Sequence, residues 1–336
     1  MKKKKLFILN IPAFYKINLL SSLSKHIEVE VAFLNSDRIE RRDDFFNFSE
    51  DFKTFNFSIN RLQKIKELFR VSNRSKDEEI ILGGWDRIEF WFLAFFSTRM
   101  KNSLILETSI LDFKKFSFFK FYIKKIFLSR IAKVYVSGTP HKELLLFLDY
   151  GGEIVITRGV GLINYRPVVA KIVTGKPRKF LFIGRVEEIK GFQSLLGAFA
   201  LRPDYKITIV GEGKYAIPSN LSNVKVIGYV NQENFTNLFT NHDVLVLPSL
   251  IEPWGLVVEE AIYNKLPVII SDRVGCYLDI VLEHHLGIVH KSNSVESIIN
   301  ALDFMANDTN YKFYLDNVNA YDTIKKDLMQ TNAFTG

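Results

Sequence analysis

The chain has 336 residues, 47% hydrophobic and 24% charged, with one cysteine and a formal net charge of +8. At roughly 100 to 200 residues per domain, this length predicts two domains with real cores and excludes a disulfide-stapled miniprotein. The composition excludes a chain that is disordered over most of its length, and Cys276 alone can make neither an internal disulfide nor a cysteine zinc site. A reducing compartment, the cytoplasm, is the expected home.

Lys2 to Lys5 precede an apolar run that superficially resembles the start of a secretory signal, but Asn10 and Pro12 break it. The run from Phe90 to Phe96 falls far short of the roughly 20 residues needed to cross a bilayer. No membrane-spanning segment is expected.

Lys5 to Ile11 reads as a short buried strand, followed by a Pro12 loop, a helical pattern at Ile17, Leu20 and Leu23, and a strand from Glu28 to Leu34. Strand, helix and strand within 30 residues make a parallel-sheet unit. Ser36 to Asn60 reads as an irregular, Phe-rich surface excursion. Apolar runs at Glu79 to Leu82, Ser103 to Glu107 and Lys133 to Val136 continue the alternation of an α/β domain.

Charge is uneven. Residues 1–170 carry 29 Lys plus Arg against 19 Asp plus Glu, a balance of 29 − 19 = +10, and the remainder carries 16 − 18 = −2. The basic surface of the first half therefore suits an acidic partner: anionic lipid, an acidic substrate or nucleic acid. It peaks between Phe113 and Lys133, with seven basic residues, seven aromatics and no acid. At 100° per residue, Phe116, Phe119, Ile123, Ile126, Phe127 and Ile131 form a core-facing stripe. Lys114, Phe118, Phe121 and Lys125 fall on the far side, the pattern of a helix lying in an anionic headgroup layer. Nucleic-acid binding through aromatic stacking is disfavoured, since these Phe residues sit in a helix without an RNP-like strand.

Between Gly159 and Lys179 a Gly- and Pro-containing basic stretch marks the interdomain linker. A second series follows, with strands at Phe180 to Ile183, Lys206 to Val210, Val224 to Ile227, Val244 to Leu247, Pro267 to Ile270 and Gly287 to Val289. The expected fold class is α/β, two Rossmann-like doubly wound parallel sheets facing a central cleft. The domains are 1–165, which is membrane-facing, and 166–316; the family resemblance described below implies that 317–336 is a helical segment crossing back to the first.

The first strand of this series ends in Gly184-Arg185, with Lys190-Gly191 just before a helix. Two cations at a strand top can hold a diphosphate from both sides. Gly211-Glu-Gly213 superficially fits a dinucleotide fingerprint, but Pro218 interrupts the expected helix and no strand-end acid follows. Gly211 and Gly213 therefore read as a cleft-lining turn rather than an NAD site. Asp243 to Ala261 runs strand, loop and helix, with Glu252 in the loop and the backbone NH groups of Gly255, Leu256 and Val257 open to an anion. Glu260 lies eight residues beyond Glu252, so the two carboxylates can address different hydroxyls of one elongated ligand, whereas Glu259 points elsewhere on the helix.

The ordered motifs Gly-Arg-x4-Lys-Gly, Gly-x-Gly, Gly228-Tyr-Val, Pro-Ser-x2-Glu-Pro-Trp-Gly-Leu-x3-Glu-Ala and Leu-Pro-Val-Ile resemble the C-terminal domain of family 4 retaining glycosyltransferases of GT-B fold, over about residues 178 to 300. Pro12-Ala-Phe-Tyr-Lys16, Gly83-Gly-Trp85, Glu107-Thr-Ser109 and Ser137-Gly138 resemble it more loosely. Asn10-Ile-Pro-Ala replaces the glycine-rich loop of many members, and Lys265 replaces the Gly usual before Leu-Pro-Val. The resemblance implies transfer of a sugar from a nucleotide diphosphate sugar to a glycan or lipid-linked acceptor. It assigns Arg185 and Lys190 to the diphosphate, Glu252 to the sugar, Glu260 to the ribose and Tyr229 and Val230 to the base. Glu107 matches the position of a residue near the reacting sugar. No cofactor and, with no Asp-x-Asp motif in the chain, no metal is expected, and the basic aromatic helix at 113–133 points to a peripheral place on the cytoplasmic face of the membrane. Rival expectations are a sugar-nucleotide epimerase, which the two-glutamate motif fits poorly, and a non-catalytic nucleotide-sugar binder or membrane adaptor of the same fold.

Overall fold

The computed structural model describes residues 3–34, 51–58, 60–74, 78–112, 118–163, 170–171, 177–231 and 235–336. The chain divides into two compact units, Met1–Asn164 with Ile324–Gly336, and Tyr165–Thr323.

Unit 1 runs β1 (Lys4–Leu9), α1 (Phe14–Ser24), β2 (Glu28–Phe33), β3 (Lys53–Asn56), α2 (Arg61–Ser72), β4 (Glu78–Leu82), α3 (Ile88–Phe96), β5 (Asn102–Leu106), α4 (Phe118–Leu128), β6 (Lys133–Val136), α5 (Thr139–Phe147) and β7 (Glu153–Ile156). Its seven strands pair in parallel in the order β3-β2-β1-β4-β5-β6-β7. Chain direction across the sheet reverses at β1/β4. A parallel sheet needs both faces covered, and the central strand β1 meets that need by alternation. Leu6 and Ile8 enter a core with Phe90, Leu93 and Phe127, while Phe7 and Leu9 enter another with Ile17, Leu20 and Phe334. Asn60 starts α2 by accepting from the NH groups of Leu62 and Gln63, and Pro140 opens α5 where a missing NH costs nothing.

Unit 2 runs β8 (Lys179–Ile183), α6 (Phe192–Ala200), β9 (Lys206–Val210), β10 (Val224–Ile227), α7 (Phe235–Thr240), β11 (Val244–Leu247), α8 (Leu256–Tyr263), β12 (Val268–Ser271), β13 (Gly287–His290), α9 (Val295–Met305) and α10 (Asp308–Ala320). The six strands are parallel in the order β10-β9-β8-β11-β12-β13, so direction reverses at β8/β11. Helix α11 (Thr323–Thr335) then packs on unit 1, where Phe334 stacks on Tyr135 at 4.3 Å between ring centroids and Ser22 and Thr331 share a hydrogen bond of 3.1 Å.

Three expectations change. The span Ser36 to Asn60 is not wholly a surface excursion. Residues 36–50 lie outside the described residues, but Lys53–Asn56 adds the edge strand β3, and Phe52 and Phe57 bury their rings in the core. Strand β7 was also unanticipated, because four residues with polar flanks leave little periodicity. The segment 317–336 divides: Ala320 ends α10 in unit 2, and residues 324–336 belong to unit 1. Most of the linker between 164 and 176 lies outside the described residues.

Candidate functional site

In unit 2 the polar residues collect at the carboxyl ends of the parallel strands, around the β8/β11 reversal, where open α/β sheets bind ligands. Gly184, whose φ is +155°, follows β8, and Gly211, at +139°, follows β9. A Cβ on Gly211 would lie 1.9 Å from the Gly184 carbonyl, and one on Gly213 would lie 2.0 Å from that of Val186. Gly211 and Gly213 are thus required by the backbone of the loop after β8, and the Val186 NH donating to the Glu212 carbonyl at 2.8 Å zips the two loops together.

Lys190 closes a 3-10 turn, and Gly191, at φ +76°, lets the chain turn into α6. The Leu250 NH donates to the Ile189 carbonyl at 2.8 Å, tying this turn to the loop after β11. Across that tie Lys190 Nζ donates to Glu252 Oε2, which also receives the Ser249 hydroxyl at 3.5 Å. The Glu252 backbone is fixed by a parallel bridge to Val274, its NH donating to the Arg273 carbonyl at 3.1 Å and its carbonyl accepting from Gly275 NH at 2.9 Å. Arg185 stands apart, with its side chain 66% exposed and paired to Glu187 at 3.0 Å.

Gly255 caps α8 at φ +97°, so the first turn of that helix presents Leu256 and Val257, both half-buried, at the same carboxyl end of the sheet. The next glutamates separate as the helical angle requires. Glu259 is 1% exposed and accepts the Trp254 indole NH, whereas Glu260 is 5% exposed one position on. Beneath them burial pushes the Cys276 thiol well above its ordinary value, with the Glu259 and Glu252 charges adding to the effect, so it is an inert core group. Tyr229 is exposed after β10, its NH donating to Glu212 Oε1 at 3.4 Å, and Val230 beside it is half-buried. Arg185, Lys190, Glu252, Gly184, Gly211, Gly213, Gly255 and Glu260 therefore share one end of one sheet. The Lys190–Glu252 pair was not expected, because each was assigned separately to a ligand.

Glu107 is in unit 1, just past β5. Its Oε1 pairs with Lys16 Nζ at 2.9 Å and lies 3.5 Å from the Tyr15 hydroxyl. Burial opposes the Lys16 charge, but the Glu107 carboxylate outweighs it and raises the Lys16 pKa above the ordinary lysine value. Lys16 had drawn attention only as part of a loose N-terminal motif. At the β1/β4 reversal the Asn10 side-chain amide donates to Asp86 at 3.3 Å.

Helix α4 corrects the sequence reading of its faces. Phe118 is exposed as expected, but Phe121 turns inward against Phe147 at 5.6 Å, and Lys125 pairs with Asp149 at 2.8 Å. Lys114 and Phe116 lie outside the described residues. Phe119, 76% exposed, and Ile126, 52% exposed, face outward with Tyr122, although both were assigned to the core. The cause is the neighbouring helix: Trp91 of α3 packs on Phe127 at 5.0 Å, and Lys124 lies over Trp85 at 4.5 Å, which fixes the rotation of α4. The outward face is more aromatic than expected, and it continues through exposed Phe95, Phe96 and Met100 to Phe69 on α2. No helix of the described residues is long and apolar enough to cross a membrane.

Residues 169–319 match the model of the glycosyl transferases group 1 family. An uncharacterized glycosyltransferase of Methanocaldococcus jannaschii is 28% identical over 207 residues, covering 58% of this chain and 50% of that one. The chain spans half or less of the length of the first curated relatives it matches. Among solved structures, a lipopolysaccharide outer core galactosyltransferase superposes with a TM-score of 0.72 at 15% identity, covering 98% of this chain and 99% of the other. An Anabaena protein in complex with UDP and glucose superposes at 0.69 and 14%, with both chains covered completely. The architecture is GT-B, and the match to the glycosyl transferases group 1 model lies over residues 169–319.

Proposed function

We propose that the protein is a retaining, metal-independent glycosyltransferase. Unit 2 holds a nucleotide diphosphate sugar, and unit 1 holds the hydroxyl of a glycan or lipid-linked acceptor at the cytoplasmic face of an anionic membrane. The observation that carries this reading is the cluster of Lys190, Glu252 and the Gly255-capped start of α8 at the β8/β11 reversal. The Anabaena protein, whose fold this chain shares, holds UDP and glucose, and another neighbour is a galactosyltransferase of lipopolysaccharide.

In the reaction, the bond between the anomeric carbon and the β-phosphate oxygen breaks while the acceptor oxygen bonds to the same face of that carbon. The acceptor proton passes to the departing phosphate. Negative charge grows on the diphosphate, and Lys190, Arg185 and the NH groups of Gly255, Leu256 and Val257 are the groups available to stabilise it. Glu252 would orient donor-sugar hydroxyls and Glu260 the ribose, while the backbone at Tyr229 and Val230 would meet the base. The exposed aromatics of α3 and α4, with Lys120 and Arg99 among them, suit a headgroup layer.

A panel of UDP-, GDP-, ADP- and dTDP-sugars, scored by thermal shift and nucleotide release, tests this. One nucleotide should stabilise the protein, Glu260→Ala should abolish the shift, and turnover should survive EDTA. The product should keep the donor's anomeric configuration by NMR. Inversion or strict metal dependence would refute the mechanism, and no shift with any nucleotide would refute the donor site.

A further inference from the structure

Residues 1–170 carry a balance of +10, yet the cluster of Lys16, Asp86 and Glu107 at the β1/β4 reversal has the opposite sign. Its cation is Lys16. It stands in the first turn of α1, which carries no acid and whose Ala13 N-cap makes no side-chain hydrogen bond. A positive charge at that end opposes the helix dipole, and the Lys16 side chain is only 12% exposed, so placement and burial both work against it. Two carboxylates offset this. Glu107 pairs with Lys16 Nζ at 2.9 Å, and the charge of Asp86 adds to the effect, so the ammonium stays protonated in spite of its burial.

Asp86 is held in position by its neighbours. Gly84 leaves it room, since a Cβ there would lie 2.5 Å from Asp86 Oδ1. The Asn10 amide donates to Asp86 Oδ2 at 3.3 Å, while the buried Asn10 Oδ1 takes no hydrogen bond among the described residues. The amide is thus turned toward the carboxylate with its own acceptor left unsatisfied. Glu107 is gripped from two sides. Lys16 and the Tyr15 hydroxyl, the latter at 3.5 Å, face its Oε1, and the fully buried His141 of α5 meets its backbone. Lys16 lies deep, whereas Asp86 is exposed and the Glu107 side chain is 40% exposed. A ligand arriving at the carboxyl ends of these strands therefore meets two hydrogen-bond acceptors before the ammonium, and a cluster with one net negative charge.

We infer that Asp86 and Glu107 set the substrate class of this site. They accept hydrogen bonds from a sugar that carries no negative charge, and their own charge, only half balanced by Lys16, turns away uronic acids and sugar phosphates. Resting on the glycosyltransferase reading, that sugar belongs to the acceptor. Lys16 is a positioning residue, which holds Glu107 and relieves the repulsion between the two carboxylates. The sign is the reverse of the domain's surface, so an anionic layer suits the basic face while the site takes an uncharged head.

The test compares methyl glycosides with the matching uronates and sugar phosphates, in gluco and galacto configuration. They are titrated into the full chain by ligand-observed NMR, with nucleotide binding measured in the same samples. At low salt the neutral ring should bind at least about tenfold more tightly than its uronate, the scale of one like-charge contact near a protein surface, and the gap should narrow as salt rises. Asp86→Asn and Glu107→Gln should each shrink the ratio several-fold, Lys16→Met should widen it, and Lys16→Arg should restore it. A merely structural role would weaken all ligands alike and leave the ratio unchanged. Asp86 is exposed, so Asp86→Asn keeps the test decisive where a more buried variant fails to melt cooperatively. A uronate bound as well as the neutral ring, a ratio unmoved in Asp86→Asn, or no glycoside bound at all would each overturn the inference. These ratios need no donor. Nucleotide binding without sugar discrimination therefore removes this site alone, and sugar discrimination without nucleotide binding removes the donor reading instead.

Discussion

Lys190 and Glu252, 62 residues apart, are bound to each other across the β8/β11 reversal of unit 2. The cation proposed for the diphosphate is thus paired with the carboxylate proposed for the sugar, which couples the two roles. Lys190→Met and Glu252→Gln should each lower turnover on the order of a hundredfold, the usual cost of one lost contact to developing charge. The double variant should lose much less than the product, with a coupling of about 1 to 3 kcal/mol. Strict additivity in steady-state kinetics would mean the two never act through each other.

The adjacent glutamates of α8 should separate cleanly by phenotype. Glu259→Ala strands the Trp254 indole NH in the core, a loss of about 1 to 3 kcal/mol in stability, readable in denaturant midpoints and in Trp fluorescence. Nucleotide affinity should move little. Glu260→Ala should weaken the nucleotide at least about tenfold, as expected for a charge-assisted hydrogen bond. A shared phenotype would mean that both carboxylates are structural.

The legible parts of the fold were those with strong local signal. Strands such as Lys206–Val210 and Val244–Leu247 are short apolar runs that fit a sheet buried on both faces, and the motif around Glu252 carries its own turn chemistry. Rotation of α4 was not legible, because its sequence holds two aromatic stripes and only packing against Trp91 chooses between them. Nor were the pairs Lys16–Glu107 and Lys190–Glu252, since a side chain's partner across strands depends on sheet order. The edge strand β3 escaped because its four residues show no alternation, while the rings that anchor it, Phe52 and Phe57, sit just outside it.

That rotation changes which substitutions should weaken membrane binding. Phe118→Ser with Phe119→Ser removes two exposed rings and should reduce flotation on anionic vesicles by about tenfold or more, with little effect on melting. Phe121→Ser should instead lower the melting temperature, because that ring packs on Phe147. Binding of the unmodified protein should fall with salt. Equal flotation of both variants, or indifference to salt and lipid charge, would remove the bilayer as partner.

Acid stability should report on His141, which lies fully buried in the first turn of α5 beside Glu107. Burial pushes its imidazole down to about 4, and the backbone and charge of Glu107 only partly oppose this. In the unfolded chain the same group titrates near 6.5. Because the folded value is the lower one, the unfolded state takes up the proton first. The stability due to neutral His141 is complete above about pH 6.5 and is lost as pH falls toward 4. A difference of about 2.5 units sets the upper limit near 3 kcal/mol. His290, also lowered by burial, acts with the same sign in unit 2. Carboxylates held low by partners, such as Glu30 beside Arg74, lose their contribution only below about pH 4.5, in a separate window. Urea midpoints measured from pH 7 to pH 4 should therefore decline steadily, and His141→Gln should flatten much of that decline even if it lowers stability at pH 7. An unchanged slope in this variant would show that the imidazole is already protonated in the folded protein, which would require a charge partner other than Glu107.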